Sequence, residues 1–122
     1  MLPPIFSLLS TNATVGALLG VGAACRVYPF GEAKADVVSP YATWFVVAGA
    51  PENTQDDTPS HDRYAIQMDV WGDENADVVA AARAVRDAIE TVGYVTQYNP
   101  SDADPATGRK RISFDAELHI SR

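Results

Sequence analysis

Between Asp62 and Val92 the chain changes its hydrophobic period without a break. In DRYAIQMDVWG, residues Tyr64, Ile66, Met68 and Val70 alternate with Ala65, Gln67, Asp69 and Trp71. That period of two is the mark of a strand with unlike faces. After Gly72 and Asp73 the apolar positions become Val78, Ala82, Val85, Ile89 and Val92, spaced by four, three, four and three. That spacing puts them on one stripe of an α-helix. A strand therefore feeds a helix directly. The junction holds neither the Gly-rich turn that cradles phosphate nor a nucleophile elbow. Any fold for this chain must bury the two apolar faces against each other.

The flanking sequence supplies the other elements. Pro3 and Pro4 suit a first helical turn, followed by Ile5, Leu8 and Leu9 at helical spacing. A second short helix is predicted at 12–20, with Asn12 as N-cap, Val15, Leu18 and Leu19 inward, and Gly20 or Gly22 as the stop. Cys25 to Tyr28 reads as a short strand ended by Pro29, and 30–39 as irregular chain. After Ser39-Pro40, the run YATWFVVAG (41–49) reads as a strand that is central or covered on both faces. The polar stretch APENTQDDTPSHD (50–62) reads as a long loop. The strand at 62–71 and the helix at 74–92, stopped by Gly93, follow. YVTQY (94–98) is a strand, 99–108 a second polar loop, and 109–120 the last strand. On that strand Ile112, Phe114, Ala116, Leu118 and Ile120 face in, and Ser113, Asp115, Glu117 and His119 face out. The expected fold class is α+β. A mostly antiparallel sheet of four or five strands packs on one long helix (about 74–92), with short N-terminal helices, as a single domain over 1–122.

Charge narrows the partners. The formal net charge is −7, which argues against a protein built to grip a phosphate backbone. Cys25 is the only cysteine, so no intrachain disulfide exists. Cys25, His61 and His119 are too scattered for zinc spacing, and no metal or cofactor is expected. The apolar N-terminal 25 residues lack a basic leader and are broken by Pro3, Pro4, Ser10, Thr11, Asn12 and Thr14. They read as a helical cap, neither signal peptide nor membrane span. Asn12-Ala13-Thr14 fits a glycosylation sequon but has no secretory context.

Several residues could carry chemistry. Asp69, Asp115 and Glu117 lie on outward strand positions and could form a carboxylate pair; a solvated sheet face is the commoner meaning. His61 and His119 have no Ser or Cys in register for a hydrolytic triad. Cys25 beside Arg26 could be an activated thiol, though a small buried residue at a strand start is commoner. Trp44 and Trp71 are core or interface aromatics. Arg109, Lys110 and Arg111 form the one basic cluster. It is opposite in charge to Glu52, Asp56, Asp57 and Asp62 of the 50–62 stretch. These seven residues with Trp71 are the candidate subunit or partner interface, and no catalytic residue is assigned.

The order of these features resembles one family. CRVYPF, SPYATWFVV, YAIQMDVWG, VVAAARAVRDAIETV and the terminal RISFDAELHI follow a helix ending in ALLG. This arrangement, over nearly the whole chain, is similar to the tail-completion or tail-terminator proteins of long-tailed bacteriophages and prophages. The resemblance implies a structural virion protein with no catalytic residues. It implies a homo-oligomeric ring, typically of six subunits, that caps the tail tube, ends its growth and joins it to the head connector. The implied partners are a second copy, the major tail tube protein and the connector or stopper protein. DNA would pass through without specific binding, and no membrane would be involved. The implied place is the head-proximal end of the tail, assembled in the host cytoplasm. From the residues alone, two other classes stay open: a small dimeric α+β ligand-binding or regulatory module, and an enzyme using the strand carboxylates.

Overall fold

The structure is a computed structural model describing residues 2–29, 33, 37–54 and 57–122, with the backbone alone at 53, 54 and 57. Its elements are α1 (Ile5–Ser10), α2 (Ala13–Leu19), β1 (Val27–Pro29), β2 (Tyr41–Thr54), β3 (Asp57–Gly72), α3 (Asn75–Ile89), β4 (Gly93–Tyr98), β5 (Asp102–Ala103) and β6 (Lys110–Ser121). A single 3-10 turn at Gly22–Ala24 joins α2 to β1. The strands form one six-stranded sheet in the order β1-β2-β3-β6-β4, with β5 added on β6. Only β1 runs parallel to its neighbour. The expected α+β fold with a mostly antiparallel sheet is present, with six strands where four or five were expected.

One face of the sheet carries the core. Ala42 and Trp44 of β2, Tyr64, Ile66, Met68 and Val70 of β3, and Phe114, Ala116 and Leu118 of β6 are buried together. The helices cover this face. Helix α3 buries Val78, Ala82, Val85 and Ile89, the predicted stripe, and also Ala81, Ala84 and Ala88. The added alanines follow from a second neighbour. Helix α2 packs on α3, so the buried arc of α3 is wider than a sheet alone would need. Small side chains there let the two helices approach. The helical layer is therefore three helices, with α3 shorter than the predicted 74–92.

The short helices end as their residues dictate. Asn12 caps α2 by accepting the Val15 N–H at 3.1 Å. Gly20 ends it at φ 105°, where an added Cβ would stand 2.5 Å from the Ala24 carbonyl. Arg26 then ties the turn together, donating to the Leu18 carbonyl at 3.1 Å and the Pro40 carbonyl at 2.9 Å. Ile5, Leu9, Val15 and Leu19 belong to the core, so one side of each short helix packs inside the fold. No helix among the described residues is long and apolar enough to cross a membrane.

Three expectations need correction. Gly93 does not stop α3, which ends at Ile89; Gly93 opens β4. An added Cβ there would meet the Glu117 carbonyl oxygen at 1.9 Å, so only glycine lets β4 lie so close to β6. Ser113 and Asp69 lie on the outer face yet are 1% and 5% exposed. The largest correction concerns 50–62. Residues 50–54 and 57–62 are not a loop; they continue β2 and β3 as paired strands, Ala50 with Arg63, Pro51 with Asp62, Glu52 with His61 and Thr54 with Asp57, while 55 and 56 lie outside the described residues.

The hairpin tolerates its prolines and acids because it leaves the core. None of residues 47–52 or 58–63 is buried. A strand exposed on both faces needs no apolar alternation, only a backbone ladder. Arg122 donates its N–H to the Ser60 carbonyl at 2.9 Å, so even-numbered residues of β3 face β6. Pro51, opposite Asp62, therefore turns its missing N–H away from β3 and interrupts no rung.

Candidate assembly surfaces

The sheet's outer face is organised in cross-strand rows. Tyr41, Trp71 and Arg111 stand side by side on β2, β3 and β6. Tyr41 and Trp71 stack with ring centroids 6.3 Å apart and planes 10° from parallel. The Arg111 guanidinium lies 5.5 Å over Trp71, and Arg109 lies 5.3 Å over Tyr41. Two cations thus flank two stacked aromatic rings, a favourable arrangement for the ring quadrupoles. The Trp71 indole N–H donates to Thr43 Oγ1 at 3.0 Å and locks the ring.

The basic run is already engaged within the chain. Arg111 holds the Asp102 carboxylate with two bonds. Arg109 donates to the Val37 carbonyl at 2.8 Å and sits 3.4 Å from the Asp73 carboxylate. Lys110 donates to the Asp73 carbonyl at 3.0 Å. Hydrogen bonds hold the Arg109 and Arg111 pKa values raised: Tyr41 is the largest cause for the first and Asp102 for the second.

The acidic candidates stand elsewhere. Asp62 accepts from Arg122 at 2.9 and 3.2 Å. Glu52 is bonded to His119. Asp57 begins β3, and Asp56 lies outside the described residues. On β3, Trp71 and Asp62 are nine residues apart, roughly 30 Å at about 3.3 Å per residue. The structure thus gathers Trp71, Arg109, Lys110 and Arg111 at one end of the hairpin and places Glu52, Asp57 and Asp62 at the other. Within one chain the two groups cannot meet.

The strand carboxylates are built into polar networks. Gln67 donates its amide to Asp69 at 3.1 Å. Asn99 donates to Ser113 at 3.0 Å and to Asp115 at 3.1 Å. These bonds explain how Asp69 and Ser113 stay buried on a polar face. Further along, Tyr94 donates to Glu117 at 2.6 Å, Arg63 approaches Glu117 at 3.3 Å, and His119 stacks on Tyr94 at 6.0 Å. The Tyr94 hydroxyl is held protonated above its ordinary range, chiefly by its bond to Glu117. Asp69 and His119 fall in separate networks. Among the described residues no group of His, Cys, Asp and Glu is arranged to hold a metal ion. Cys25 is 3% exposed, and burial raises its pKa against the smaller opposing pull of Arg26. It is a core thiol, not an activated one.

The signal that sequence reasoning missed is the hairpin arm itself. Pro51 and Pro59 pointed to a loop, yet the adjoining apolar strands could carry their ladder onward.

The described residues form a helix-backed sheet with a solvent-exposed two-stranded arm. The family model described as Tail completion protein gp17 matches residues 3–120, and the chain belongs to that family. It is accordingly a structural tail protein of a phage-like virion. The fold is similar to that of a chain in a solved structure described as "Virion of native gene transfer agent (GTA) particle". That match has a TM-score of 0.65 and 17% identity, covering 97% of this chain and 92% of the other. No curated protein sequence matches the chain.

Proposed function

We propose that this protein forms a homo-oligomeric ring, of six subunits in the family's usual manner, that caps the tail tube at its head-proximal end. The ring ends tube polymerisation and joins the tail to the head connector. Membership of the tail completion family supports this reading. The structural observation that carries it is the β2–β3 arm. Residues 47–52 and 58–63 contribute nothing buried to the core, so a short turn near Val46 and Tyr64 would have served the fold alone. A long, paired and acidic arm is built to reach something outside its own subunit. In a ring traversed by DNA, the net charge of −7 disfavours sticking to phosphate.

The test is to replace residues 52–60 with a two-residue Asn-Gly turn. The monomer is expected to fold with unchanged helix content, while tails grow to uncontrolled length and fail to join heads. Normal-length, head-joined tails would reject the arm as an assembly element. The chain is read as non-enzymatic. Asp69→Asn, Asp115→Asn and His119→Ala are each expected to leave tail joining intact. Loss of joining in one of them, with fold and assembly unchanged, would reopen the case for chemistry on the outer face.

A further inference from the structure

Of the seven arginines, Arg83 alone makes no hydrogen bond, ion pair or ring contact among the described residues. It stands exposed on α3. Asp87, one turn further along, is held by Arg86 instead. In a chain of net charge −7, a cation left without a carboxylate is the exception. Arg83 also borders a hollow of about 120 Å³, floored by Ile112 and Phe114 of β6 and walled by Val79, Ala82 and Tyr98. Small-molecule pockets run to roughly 300–1,000 Å³. This hollow has room for one apolar side chain.

The hollow lies beside the end of the sheet. Strand β4 is terminal, so one of its edges is unpaired among the described residues. His119 donates its N–H to the Val92 carbonyl at 2.8 Å, which fixes the alternation along β4. Gly93 and Val95, one and three residues on, turn their N–H and C=O away from β6 toward the unpaired edge. Edge strands are commonly guarded by charges and prolines. GYVTQY has neither. A strand added there sends every second side chain to the α3 side of the sheet. One such side chain can fill the hollow, and another on the same face can reach Arg83.

The strands of this chain offer no free acid for that place. Every strand carboxylate with a described side chain is already bonded. Glu52 is held by His119, Asp62 by Arg122 and Asp102 by Arg111. Asp69, Asp115 and Glu117 belong to the outer-face networks. We propose that the unpaired edge of β4, with the hollow and Arg83 beside it, seats an extended segment of a different protein, carrying an apolar side chain and a carboxylate on the same face. Main-chain bonds to β4 supply affinity in such a contact, and the hollow and the cation supply selection. The seat goes beyond the ring reading and does not depend on it.

The test uses the full chain with two synthetic peptides, TVTLTDT and its reverse, since the added strand can run either way. At least one is expected to bind saturably and to slow hydrogen exchange at the Gly93 and Val95 amides. Replacing its aspartate by lysine, or its leucine by serine, is expected to weaken binding about tenfold or more. The aspartate effect should shrink at high salt. Arg83→Glu, at an exposed position, should melt as the parent does and reverse the preference, so that the lysine peptide binds better. No saturable binding, or equal binding of the aspartate and lysine peptides to the parent chain, overturns the proposal. In assembled tails, a photo-crosslinking side chain in place of the exposed Thr96 is expected to capture a different protein. Capture of a second copy alone, or of nothing, overturns the seat. A chain that forms no ring yet captures another protein from position 96 loses the ring and keeps the seat.

Discussion

Arg111 grips Asp102 with two parallel hydrogen bonds, Nε to Oδ1 at 2.8 Å and Nη2 to Oδ2 at 2.7 Å. This fork pins the two-residue strand β5 to the start of β6 while the same guanidinium lies over Trp71. Both side chains are partly in water, at 27% and 52% exposure, so the pair contributes little to global stability. Asp102→Ala should cost no more than about 1 kcal/mol in urea unfolding. It should still free β5, seen as faster amide exchange at 102–103 with the rest of the sheet unchanged. Unchanged exchange there would mean that the ladder alone holds β5.

Ile89 is fully buried at the end of α3, facing the sheet. Ile89→Ala removes a branched side chain from a packed site. Its expected cost is about 2–5 kcal/mol, as lost transfer energy plus the cavity left behind. A urea midpoint within about 0.5 kcal/mol of the parent would contradict the packing described for this helix face.

Gly93→Ala should be more damaging than its size suggests. The new Cβ would lie 1.9 Å from the Glu117 carbonyl oxygen and 2.9 Å from the Leu118 Cα, both backbone atoms that cannot rotate aside. Strand β4 must move off β6, at an expected cost of about 1–3 kcal/mol or more. Thermal melting checks the stability.

Cys25 gives a pH signature. Its folded pKa is raised above the ordinary 9.0 by burial. Between the unfolded and folded pKa values the native state binds more protons than the unfolded state, so stability falls as pH rises through that window. Stability from this group is complete below the ordinary thiol range. Cys25→Ala should flatten the alkaline limb of the stability profile. At pH 8 the native thiol should react with a disulfide reagent far more slowly than the unfolded chain does. Equal rates in native buffer and in denaturant would contradict its burial.

Periodicity in the sequence determined much of this protein. The alternation Tyr64, Ile66, Met68, Val70 and the stripe Val78, Ala82, Val85, Ile89 both proved to be core-facing. Asn12 and Gly20 marked the ends of α2 because capping and positive φ are local requirements that a few residues settle. Family resemblance was legible for a related reason: it lies in the order of these local patterns.

Tertiary structure decided the rest, because it concerns groups whose environment is supplied by distant residues. Residues 50–54 and 57–62 became an arm through a backbone ladder, and ladder bonds carry no side-chain signature. Asp69 and Ser113 became buried on a polar face through Gln67 and Asn99. The Arg109–Arg111 run was neutralised by Asp73 and Asp102, partners that spacing along the chain could not reveal. Arg83 looked like any other charge on a helix. Only the packing of α3 beside β4 put it next to an open strand edge, because proximity across a sheet is set by strand order and not by position in the chain.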